Sequence, residues 1–98
     1  MTAETGVSPT SIINLSKANV LLIDDSPFGL RLLDQMMKGF GVRACYACSS
    51  SIYAQDVIRR ESVDLIVIDC DMPEFDGYDL IRWMRNSGLD NAYTPVIM

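Results

Sequence analysis

Two apolar runs organise the chain. Residues 20–23 (VLLI) end at Asp24, and residues 65–68 (LIVI) end at Asp69. Four consecutive apolar positions with no polar residue between them read as a strand buried on both faces, the pattern of a parallel sheet covered by helices. After the first run, Ser26 and Pro27 form an N-cap and first-turn pair. Leu30, Leu33, Met37 and Phe40 then recur at helical spacing, with Gly39 or Gly41 as the stop. Residues 42–48 predict a second strand with Val42, Ala44, Tyr46 and Cys48 on one face. Residues 50–61 predict a second helix with Ala54, Val57 and Ile58 inward. A third helix is expected over 78–86, and a fourth strand opens at 94–98. Residues 1–17 are polar and poorly patterned apart from Ile12, Ile13 and Leu15, and read as a flexible tail.

Strands alternating with helices predict an α/β fold, a doubly wound parallel sheet. The length of 98 residues suits one domain, residues 18–98. Ligands of open parallel sheets sit beyond the carboxyl ends of the strands, where the strand order reverses. With the order 2-1-3-4 the first and third strands are neighbours, so Asp24, Asp25 and Asp69 converge. An apolar fourth strand with no helix after it would leave an edge, which leads to the expectation that the fold is incomplete at its C-terminus and that a homodimer or a domain swap could use this edge.

Charge sharpens that picture. Thirteen acids against eight bases give a net charge of -5, and no Lys/Arg run exists, which argues against direct nucleic-acid or membrane-surface binding. No apolar run approaches the roughly 18 residues of a membrane span, and no signal peptide opens the chain, so a cytoplasmic location is expected. The acids concentrate in two windows that hold Asp24, Asp25, Asp69, Asp71, Glu74, Asp76 and Asp79. Three cysteines and no histidine make a zinc site or a disulfide framework a poor reading. Cys45 and Cys48 are three apart in a strand, on opposite faces, and read as filler.

Converging carboxylates call for a hard divalent cation. Magnesium suits them, since it takes one or two carboxylates and leaves positions for water and phosphate oxygens. The competing reading, that strand-end aspartates only cap the helices that follow, covers Asp25 or Asp76 alone better than it covers the set.

VLLIDDS, then DLIVIDCDMPEFDGYDLI about forty residues on, then TPVIM, resemble the receiver domain of two-component response regulators over residues 19–98. The resemblance implies a flavodoxin-like (CheY-like) fold. It implies that Asp69 is the phosphoacceptor, that Mg2+ is held by Asp24, Asp25, Asp69 and the backbone carbonyl of Asp71, and that Pro73 and Gly77 shape the loop below the site. It also implies a sensor histidine kinase or a phosphotransfer protein as phosphodonor, with the first helix part of the docking surface. The hydroxyl residue after strand 4 and the Lys after strand 5 of such domains match no position here, so the domain is expected to lack its last helix-strand-helix portion.

Asp69-x-Asp71 also resembles the first motif of haloacid-dehalogenase-type phosphatases, although the upstream Asp pair and the Met-Pro-x-x-x-Gly continuation fit receivers better. A phosphorylation-independent interaction module is the other alternative. An EF-hand loop fails, because Glu74 stands where such a loop requires glycine.

Overall fold

A computed structural model of the chain describes residues 15–69 and 77–98. Four strands, β1 (Asn19–Ile23), β2 (Ala44–Cys48), β3 (Leu65–Ile68) and β4 (Val96–Ile97), form one parallel sheet in the order β2-β1-β3-β4. Helices α1 (Pro27–Gly39), α2 (Ser51–Arg60) and α3 (Gly77–Arg85) connect them. The sheet order is the one the sequence pattern predicts.

β1 lies at the centre, and Val20, Leu21, Leu22 and Ile23 have no solvent-exposed surface. Its alternate residues face opposite sides of the pleat. Leu21 and Ile23 join Ala54, Val57 and Ile58 of α2, Ile66 and Ile68 of β3, and Leu80 and Met84 of α3 in the main core. Helix α1 packs on β1 and β2. No α1 residue is fully buried. None of the described helices is long and apolar enough to cross a membrane.

The N-cap signature holds: Gly29 N donates to Ser26 Oγ at 3.2 Å, with Pro27 opening the helix. Gly41, at φ +79°, provides the reversal after α1, a conformation open to glycine without a Cβ penalty. The second strand is shorter than its apolar pattern suggests. Val42 falls outside it because its N–H is drawn back to Met37 O of the helix end.

The segment before β4 departs furthest from expectation. Residues 90–93 form a 3-10 turn, and β4 is only two residues long. Asn91, 6% exposed, occupies a gap between elements. Its Nδ2 donates to Ile58 O and Glu61 O at 2.8 and 2.6 Å, and its Oδ1 accepts from Val63 N at 3.0 Å. Thr94, expected to open the strand, instead donates from Oγ1 to Val63 O. The Arg85 guanidinium donates to Ala92 O and Thr94 O at 3.0 and 2.8 Å. Arg82, by contrast, pairs with Asp79 on the exposed face. At the other end, residues 15–17 form a 3-10 turn that leads into β1, and the rest of the predicted tail lies outside the described residues.

Candidate functional site

The register of β1 and β3 assembles the site. Ile23 pairs with Ile68, so the next residue on each strand, Asp24 and Asp69, emerges at the same level. Two backbone bonds hold the strand ends: Asp69 N donates to Ile23 O at 2.9 Å, and Asp24 N to Cys48 O at 3.2 Å. The carboxylates of Asp24, Asp25 and Asp69 each offer an oxygen, and these oxygens lie within 4.8 Å of one another. Asp24 is buried, Asp25 exposed and Asp69 half-buried.

Asp24 is further fixed by the turn into α1. Its Oδ1 accepts from Ser26 N at 2.9 Å, while its carboxylate stands over the first turn of the helix, against Gly29. The positive end of the helix dipole favours negative charge there.

Three hard carboxylate oxygens from two strand tips fit a magnesium ion chemically. Oxygens on opposite sides of such an ion are about 4.2 Å apart, twice the usual bond length. Asp71 lies outside the described residues, as do Cys70, Met72 and Pro73. Gly77 is described, but its close neighbours are Ile68 Cγ2 and Met98 Cε, where a Cβ would stand at 3.0 and 3.1 Å. It therefore lets α3 approach the tip of β3.

Residues 20–98 match the family model for the response regulator receiver domain. The chain belongs to that family. This receiver domain is 31% identical over 70 residues, 71% of its length, to a sensor histidine kinase, RcsC, of Salmonella typhimurium, of which it spans only 7%. It is 28% identical over 100 residues, 97% of its length, to the two-component response regulator ARR11 of Arabidopsis thaliana, of which it spans 16%. Among solved structures it is similar to the chemotaxis response regulator CheY4 of Vibrio cholerae (TM-score 0.73, 21% identity), covering 82% of this chain and 65% of that one. It is also similar to the receiver domain of the Arabidopsis thaliana histidine kinase CKI1, complexed with Mg2+ and BeF3- (TM-score 0.68, 24% identity, 89% of this chain and 68% of that one). The protein is thus a two-component receiver domain with a CheY-like sheet.

Two thiols and a cleft are the other chemistry-bearing features among the described residues. Cys45 and Cys48 are free thiols. Burial, reinforced by the Asp34 carboxylate, pushes the Cys45 thiol up to about 12, which leaves it protonated and inert. Asp34 itself is held below the usual carboxylate range, chiefly by its hydrogen bond with Lys38. A cleft of about 420 Å3 between the end of α2 and the turn after α3, lined by Arg59, Glu61, Ser62 and Asp90, lies at the opposite end of the strands. Sequence reasoning singled out the three acids but missed the seating of Asp24 against Gly29. A glycine three residues after an N-cap, where a helix former is expected, was the available signal.

Proposed function

We propose that Asp69 accepts a phosphoryl group and that Asp24, Asp25 and Asp69, with the backbone carbonyl of Asp71, hold Mg2+ beside it. The observation that carries this reading is the convergence of the three carboxylates at adjacent strand ends. An Asp69 oxygen attacks phosphorus in line with the leaving group, forming a P–O bond as the P–N bond of a phosphohistidine donor breaks. The imidazole of the donor keeps the electron pair and takes up a proton, and Asp69 becomes an acyl phosphate. When bound, magnesium supplies positive charge opposite the phosphoryl oxygens. The buried setting of Asp24 and its bond from Ser26 N keep one ligand oriented throughout.

The donor in this proposal is a sensor histidine kinase or phosphotransfer protein, met in the cytoplasm, where the free thiols Cys45 and Cys48 stay reduced. Its docking face is α1. Phe28, Leu32 and Met36, with Phe40 at the C-cap, recur every fourth residue and stay exposed, Phe28 at 64% and Phe40 at 59%. Such an apolar band suits a partner helix.

The test treats the chain and Asp69→Asn with a small phosphodonor, with and without magnesium, and weighs both intact. A magnesium-dependent adduct on the unaltered chain alone is expected. Equal labelling of both removes Asp69 from the role.

The sheet edge favours a second reading. Among the described residues β4 pairs only with β3, and Ile97 is exposed, so a second copy or another segment could add a strand there. A light-scattering mass equal to the monomer's across a wide concentration range would rule out the self-paired form.

A further inference from the structure

We infer that the N-terminal segment folds back on its own domain, with Ile12 and Ile13 packed on the open face of β3 and β4 built by Leu65, Val67 and Ile97. The pairing register sorts the strand residues by face. Leu21 and Ile23 pair with Ile66 and Ile68, and all four belong to the core with α2 and α3. Leu65 and Val67 are one position out of step, so they point to the other side of the sheet, and Ile97, level with Val67, joins them. Helix α1 lies on that side, where its Asp34 carboxylate meets the Cys45 thiol, and it packs on β1 and β2. The apolar residues of the other two strands stay open beside it. Ile97 is 56% exposed, and Leu65 and Val67 are half-buried, whereas their β1 partners Val20 and Leu22 have no exposed surface.

The chain itself supplies a cover. Residues 1–14 lie outside the described residues. The apolar pair Ile12 and Ile13 stands just before Leu15, among Thr10, Ser11 and Asn14. This segment enters where the strands start: the Leu15–Lys17 turn leads into β1, and Ala18 O accepts from Arg43 N and Ala44 N at the start of β2. Leu65 opens β3 beside Val20, at that same end. Three extended residues reach about 10 Å, and two strand spacings are also about 10 Å. The step from Leu15 back to Ile12 therefore matches the distance from β1 to β4. A tethered segment also meets its face at an effective concentration in the millimolar range. A second copy must first offset the loss of its free translation and rotation. The cover lies on the sheet face, so it involves neither the β4 edge nor the three acids.

The test uses the whole chain with isotope-labelled Ile, Leu and Val methyl groups. Nuclear Overhauser contacts from the Ile12 or Ile13 methyls to those of Val67 or Ile97 are expected, at a light-scattering mass of one chain. Two variants follow in urea: Ile12→Ser combined with Ile13→Ser, and Val7→Ser alone. The double variant should raise the ratio of unfolded to folded protein about tenfold, the scale of withdrawing part of two isoleucine side chains from cover. Val7→Ser should leave the ratio unchanged.

Missing methyl contacts in the unaltered chain overturn the inference, whatever the variants do. Contacts that appear only as the mass doubles also overturn it, since a second copy then covers the face. So does a double variant whose stability matches that of Val7→Ser.

Discussion

Asn91 shows how much a single buried polar residue can organise. It satisfies two carbonyls at the end of α2 and the N–H of Val63, just before β3. Replacing it with alanine removes all three bonds, two of them buried and the one to Glu61 O part-buried, at about 1–3 kcal/mol for each buried group left unpaired. Asn91→Ala is therefore expected to lose about 3 kcal/mol in urea denaturation, and a loss below about 0.5 kcal/mol would show that water replaces the amide. Cys45 gives a pH-dependent case. Burial and the neighbouring Asp34 raise its thiol to about 12 in the folded chain. The raised value means the thiol contributes stability below its unfolded value near 9, and this is lost as pH climbs from there toward 12. At pH 8, Cys45 should resist iodoacetamide in the folded protein and react once the chain is unfolded, read by peptide mass mapping. Equal rates in both states would contradict the burial.

At the scale of elements, the strands and helices that bury apolar residues in regular periods were legible from the pattern, β1 and α2 most clearly. The stretch before β4 was not. Asn91, Thr94 and Arg85 act through hydrogen bonds to distant carbonyls, and polarity alone does not distinguish such a residue from a solvated one. The same holds for Val42, whose apolar character suggested strand while its backbone bonds to the end of α1. Packing of α3 on β3 depends on Gly77, where a Cβ would press on Ile68 and Met98. Overpacking in a fixed core costs about 1–3 kcal/mol, against a gain of up to about 1 kcal/mol from helical preference. Gly77→Ala is expected to lower the urea midpoint with an unchanged slope. A raised midpoint would mean that the side chains of Ile68 and Met98 give way freely.

Across the whole molecule, structural and chemical duties divide between the ends of the sheet. The ends where the strands start carry the Asn91 and Arg85 network, and the ends where they finish carry the acids. The pairing of those acids was legible because the carboxyl ends of neighbouring parallel strands are level. The seat of Asp24 was not, since it depends on a three-dimensional approach to Gly29. Ligand linkage gives a global readout of the proposal: magnesium at ten times its dissociation constant should stabilise the chain by about 1.4 kcal/mol. Asp69→Asn should reduce that gain at the same concentration, followed by thermal melts. The most direct measurement is an anomalous-scattering map of crystals soaked in manganese, a stand-in for magnesium with the same oxygen preference. One peak bonded to oxygens of Asp24, Asp25 and Asp69 together is the expected result. A peak that touches only one of these carboxylates, or that lies elsewhere, would contradict the shared site.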